Sequence, residues 1–326
     1  MPTIDEIIDE KIARANNNIE RIDAMLLRLD ALEARIAARE AAEAVQPPAP
    51  VPVPPPIIVT PPAVAPPPAP GNYSHTIIPN MTHRTLHIDR SSTLVNLAGQ
   101  LLAELDIVIA VGVSDICIRG GTARSITSQI PGGRTPCYNR LLIENVTLNN
   151  FNESAMELHG NNTTLRNVTA NSSRYCLWLG ESEDLTGVLL EDCNFTSRGD
   201  ESTVRITDCT DVQIKSTMLR NGNKHCLRLH GRTSNVTLEQ VHMHGAGNGF
   251  AAGALQGVPA SVSSVVVRDC VIATLGPDRL NLARDGSLER LRITSLRIAT
   301  RTDWDIVAEY VDSHPASWDV SGLEYL

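Results

Sequence analysis

The chain has 326 residues, of which 42% are apolar and 20% charged, and a formal net charge of −9. An acidic balance without a basic cluster argues against a nucleic-acid surface, and no stretch is long and apolar enough to span a bilayer. The first ten residues, MPTIDEIIDE, lack the basic and apolar regions of a signal peptide, so the expectation is a protein kept in the cytosol or leaving it without a cleaved leader. Seven cysteines are an odd number with no CxxC spacing, which predicts small, buried, reduced thiols rather than disulfides or metal ligands. No cofactor is expected.

In chain order, residues 3–44 read as one long helix. Thr3 and Glu6 form a capping box. A seam follows at Ile8, Ile12, Ala15, Ile19, Ile22, Leu26, Leu29 and Ile36, widened by Met25 and Leu32. A helix of roughly 60 Å with such a seam needs partner helices, most simply identical ones in a parallel coiled coil. Isoleucine at both seam positions favours more than two strands. We therefore expect a homotrimer, with a higher cyclic number left open and Asn16, Asn17 and Asn18 near the outside. The other reading is a helix laid along a different protein.

Residues 46–71 hold 13 prolines and no charge. They predict a polyproline II spacer of up to ~80 Å. Its apolar insert, Ile57, Ile58 and Val59, is unusual for a free linker and suits docking on a partner. The globular part then opens at 72. Leu94, Leu97, Leu101, Leu102 and Leu105 have helical spacing and predict a short helix over 93–106 that caps the first strand edge. The segment 106–112 reads as the first strand, completing an N-terminal cap over 72–114.

From 115 to 298 one strand recurs: DICIRG (115–120), RLLIEN (140–145), TTLRN (163–167), GVLLED (187–192), DVQIKS (211–216), NVTLEQ (235–240), SVVVRD (264–269) and RLRITS (290–295). The turn residues are Gly120, Asn145, Asn167, Asp192, Ser216, Gln240, Asp269 and Ser295, spaced by 25, 22, 25, 24, 24, 29 and 26. A period of this length with one short strand per copy and no helix between copies predicts an all-β parallel β-helix over 72–326, with 299–326 as a C-terminal cap. The outward residue before each turn reads Arg119, Glu144, Arg166, Glu191, Lys215, Glu239, Arg268 and Thr294. Seven of these are charged and alternate in sign. Stacked about 4.8 Å apart, they would attract their neighbours and fix the register. We read this column as a solvated structural ladder.

A second strand recurs at 155–160, 176–180, 203–207 and 226–231, with weaker copies at 279–283 and 305–310. Its outward column is Glu157, Trp178, Arg205, Arg228 and Asn281. An aromatic beside two arginines and a carboxylate suits a sugar or an anionic polymer. The plainer alternative is an ordinary solvated strand with one covered tryptophan. Other candidates are the loop carboxylates Glu181, Glu183, Asp184, Asp200 and Glu201. Of these, Glu181, Glu183, Asp200 and Glu201 would supply acid and base if the chain were a glycosidase. His242 and His244 share a strand face, with no third metal ligand in view. The glycine-rich 245–261 opens no phosphate loop. Trp304, Tyr310, Trp318 and Tyr325 would close the last coil, pack subunits or form a receptor-binding tip.

The coils resemble the right-handed parallel β-helix of the pectate-lyase-like superfamily, which includes phage tailspikes. The resemblance covers 72–326 by repeat pattern and 3–71 by architecture, since stem, stiff linker and β-helix head together look like a virion fibre or spike. It implies a particle protein made in bacterial cytoplasm and carried on the virion. Its first segment would hold capsid or tail protein, and its head would bind cell-surface polysaccharide. The superfamily's lyases use aspartates for calcium and an arginine base. The ladder alternates in sign, so no catalytic residue carries over. A polysaccharide depolymerase is the second reading, and a non-binding decoration of capsid or tail is the third.

Overall fold

The computed structural model describes residues 73–130, 135–181, 184–253, 260–276, 279–282, 288–298, 318–320 and 322–325. The expected helix over 3–44, the proline-rich 46–71, Glu183, Trp304 and Tyr310 lie outside these residues. Within them the fold is a parallel β-solenoid whose strands stack coil on coil in three columns, named here sheets A, B and C.

Sheet A is the one predicted from the repeat. Its strands pair in register, with Arg119 beside Glu144, Glu144 beside Arg166, Arg166 beside Glu191, Glu191 beside Lys215, Lys215 beside Glu239 and Glu239 beside Arg268. Two of these steps close as ion pairs, Arg166 to Glu191 at 2.9 Å and Arg268 to Glu239 at 2.7 Å. The turn residues Gly120, Asn145, Asn167, Asp192, Ser216, Gln240 and Asp269 all have positive φ, between 45° and 64°. Such a conformation costs least for Gly, Asn and Asp. A second left-handed column opens the same strands, at Asp115, Arg140, Asn162, Gly187, Asp211, Asn235 and Ser264. Each sheet A strand is thus a short extended run between two left-handed corners. The corner side chains also stack: Asn167 Nδ2 donates to Asn145 Oδ1 at 2.8 Å, and Ser216 donates to Gln240 Oε1 at 3.0 Å.

Sheet B follows each turn directly, through Thr169–Ser172, Asn194–Ser197, Met218–Asn221, His242–Gly245 and Cys270–Thr274. Sheet C completes the coil, through Met156–Leu158, Leu177–Leu179, Val204–Thr207, His225–His230, Asn248–Ala252 and Leu280–Leu282. The corner from B to C is held by buried polar groups. Asn221 Nδ2 donates to the carbonyls of Glu201 and His225, and its Oδ1 accepts from the amides of Asn223 and Lys224.

The core is the interior of the coils. Ile143, Leu165, Leu190, Ile214 and Leu238 stack on one another, all fully buried. Seven cysteines are buried and free. Burial pushes the thiols of Cys176, Cys193 and Cys226 up to about 12, so they remain protonated packing groups.

The expected helix over 93–106 is instead two strands, Thr93–Asn96 and Leu101–Ile109. Ala98 and Gly99 between them have φ of +51° and +71°, and Asn96 Oδ1 accepts from the Ala98 amide. A left-handed pair in its middle breaks any helix, so the leucine spacing is incidental. Thr93–Asn96 pairs with Ile116–Arg119 as a further rung of sheet A. Nor is 106–112 the first strand, because His75–Ile77 and Thr85–Ile88 precede it in the stack. At the other end, Trp318 joins the strand pair beyond Leu291 and donates its indole N–H to the Leu288 carbonyl at 3.1 Å, closing the last coil.

Candidate functional site

The outward column of sheet C brings the sequence-predicted residues into line. Glu157 pairs with Trp178, Trp178 with Arg205, Arg205 with Arg228, Arg228 with Ala251, and Ala251 with Asn281. Alternation along each strand puts the apolar neighbours Leu177, Leu179, Val204, Ile206, Leu227 and Leu229 into the core. The polar members are therefore displayed on a rigid row, one per coil.

Trp178 is half-buried and already engaged. Its indole N–H donates to the Gly180 carbonyl at 2.7 Å. Tyr175 lies tilted against it at 5.3 Å and His159 edge-on at 6.2 Å. The Arg205 guanidinium sits over its ring, 5.2 Å from the centroid. The tryptophan is thus a platform for the arginine, an arrangement stabilised by the ring's quadrupole. Gly180, with φ of +69°, lets the next coil approach closely: a Cβ there would sit 2.1 Å from the Thr207 carbonyl oxygen.

Arg205 is positioned by neutral groups. Its Nε donates to Thr207 Oγ1 at 3.3 Å and its Nη1 to the Tyr175 hydroxyl at 3.3 Å, and that hydroxyl donates to Glu201 Oε2 at 2.8 Å. Arg228 stacks beside it with its Nε buried and without a hydrogen-bond partner. Burial, and then the charge of Arg205, hold the Arg228 pKa below the usual guanidinium range. Two residues on, His230 turns outward again, 5% exposed. Its Nδ1 is buried without a partner. Burial, followed by the charges of Arg228 and Arg205, lowers its pKa, so the imidazole is neutral near pH 7.

Beside these groups lies a cleft of about 510 Å³, lined by Glu181, Arg205, Thr207, Asp208, His230 and Arg232 among others. That size falls within the range of small-ligand sites. Arg232 on its far side is already neutralised, by Asp184 at 2.5 Å and Asp208 at 3.6 Å. Among the described residues neither Arg205 nor Arg228 forms an ion pair.

The carboxylates named as possible acids and bases are not gathered at one point. Glu181 follows the strand Leu177–Leu179 and lines the cleft. Glu201 precedes Val204–Thr207, at the opposite end of the sheet C strands, and serves Tyr175. Asp200 accepts from Asn223 Nδ2 at 3.0 Å. His242 and His244 lie on sheet B, where Arg220 Nε donates to His244 Nε2 at 3.3 Å. No group of three metal-ligating side chains occurs among the described residues. Sequence reasoning missed Tyr175, Asp208, His230 and Arg232. The signal for His230 was present: AMELHG and CLRLHG both place a histidine two residues after the outward position.

Residues 132–261 match the family model described as right handed beta helix region. No curated protein and no solved structure matches the chain. The solenoid and the matched region together support a place for this chain in the parallel β-helix superfamily.

Proposed function

We propose that the chain is a fibre or spike protein of a phage or phage-like particle, that its N-terminal segment oligomerises and anchors it, and that its β-helix head binds cell-surface glycan. The observation that carries the glycan reading is the sheet C row. Trp178, Arg205 and Arg228 stand one per coil, Arg205 lines a cleft, and among the described residues neither arginine forms an ion pair. Two cations stacked at strand spacing repel unless an external group balances them. The heptad-like seam and the proline-rich spacer support the fibre reading, because several heads on one stem convert weak sites into avid attachment. The test is retention of full-length protein on polysaccharide from candidate host cells, compared with a variant lacking residues 1–45, with release of reducing or unsaturated ends followed in parallel. Retention without product, stronger for the full chain, is expected.

One observation favours the depolymerase as the second reading: Glu181, Asp208 and the neutral His230 line the same cleft. Product release abolished in E181Q or D208N would establish it. Absence of both retention and product across a broad panel would leave a particle decoration.

A further inference from the structure

The polar groups of sheet C divide unequally around the cleft. On one side Arg232 is matched by Asp184 and Asp208. On the other, Arg205 and Arg228 are register neighbours in adjacent coils, both half-buried, with neutral partners only for Arg205 and none for the Nε of Arg228. Glu201 hydrogen-bonds the Tyr175 hydroxyl that Arg205 also contacts, and its charge acts on Arg228 more weakly than that of Arg205. Like charges stacked at the spacing of adjacent strands repel, and burial strengthens the repulsion. On sheet A the same spacing is filled with alternating signs, so the solenoid readily supplies a counter-charge where the fold alone requires one. The Arg205–Arg228 pair is therefore a local excess of positive charge on an acidic protein, with Arg205 held in place by Trp178, Tyr175 and Thr207.

We propose that this pair is an anion subsite, and that the glycan the head binds carries an acidic substituent, a carboxylate or a sulfate or phosphate ester, seated between Arg205 and Arg228. This deepens the glycan-binding reading and rests on it. The anionic oxygens accept from the guanidinium N–H groups, the geometry in which arginine is strongest as a donor. His230, on the cleft wall, packs beside the same sugar unit. The molecule's net charge of −9 repels polyanions at long range, so retention of an acidic polymer would report a specific site and not diffuse attraction.

The experiment measures binding of the full-length protein to four probes: polygalacturonate, its methyl ester, dextran sulfate and dextran. The arms separate carboxylate from sulfate, and each from its neutral counterpart. One charged polymer is expected to be retained and its uncharged counterpart lost. R228Q and R205Q, shown folded by circular dichroism, should each bind about tenfold more weakly, the loss of one charge-assisted hydrogen bond. K215Q, which removes a positive charge from sheet A instead, should bind like the wild type. Equal loss in K215Q, or equal retention of charged and neutral polymers, overturns the subsite. If host-cell polysaccharide is retained equally by wild type and R228Q while all four probes fail, the acidic class is wrong and the glycan reading stands. If host-cell polysaccharide is not retained at all, the glycan reading falls and the subsite with it.

Discussion

Sheets A and C are wound by the same chain around the same core, yet they treat charge in opposite ways. On sheet A every step from Arg119 to Arg268 reverses sign, and the corners are tied by Asn and Ser side chains. On sheet C the row runs carboxylate, indole, guanidinium, guanidinium, and then the small Ala251. Both rows obey the same alternation along the strand, so the difference is not imposed by the fold. A column that balances itself needs no ligand. The sheet C column is left with two stacked cations that no carboxylate pairs among the described residues.

The largest effect expected is one that both faces share. Leu190 is fully buried between Leu165 and Ile214, and L190A should cost about 3 kcal/mol, read from chemical denaturation. If instead only one sheet loosens, measured by hydrogen exchange of its amides, the two faces do not stand on a common core. Next comes a break in the ladder. Glu191→Lys would set three cations in line with Arg166 and Lys215, and should cost about 1 kcal/mol, easing as salt is added.

On sheet C the sign of the effect should reverse. Arg228→Met removes a half-buried charge lacking a partner at Nε, and should leave stability unchanged or raise it by up to ~1 kcal/mol while weakening glycan retention. Loss of stability comparable to that of E191K would show the arginine pair to be structural. The smallest effect is in pH. The His230 and His244 pKa values are both depressed in the fold, chiefly by burial. The unfolded imidazoles titrate near 6.5. Below about that pH the unfolded chain takes up protons that the folded chain does not, so stability falls as pH falls. H230Q should remove part of the loss between about pH 7 and 5, and H230Q with H244Q most of it, as followed by melting temperature.

Sheet A was legible because two independent signals coincide there, the apolar alternation and a turn residue that is Gly, Asn or Asp at five of the eight end points. Sheet B was missed because its strands begin directly after those turns and carry no punctuation of their own; Asn194 and Met218 open strands yet look like the tail of a turn. The left-handed column before sheet A was overlooked although Asp115, Asn162, Gly187, Asp211 and Asn235 carry the same signal as the turns that follow the strands. At 93–106, leucine spacing imitated a helix, and Ala98-Gly99 was the overlooked warning. The row Glu157, Trp178, Arg205, Arg228 could be counted off the repeat. The cleft could not, since Glu181, Asp208 and Arg232 reach it from connections of different coils, and connection geometry has no period. Nor does a sequence reveal that Arg205 already covers the face of Trp178.

The stacking of coils also sets how the head carries load. Hydrogen bonds between parallel strands lie along the direction in which the coils pile up. A pull along that direction strains them in line, and because each coil touches only its neighbours, the stack would part at its weakest rung instead of yielding everywhere at once. A pull across the stack, delivered through a ligand on sheet C, is spread over the sheets of the loaded coil and the coils on either side. The row from Glu157 to Arg228 lies mid-stack, with paired coils above and below. A grip there directs tension into the sturdier direction of the solenoid and away from its ends.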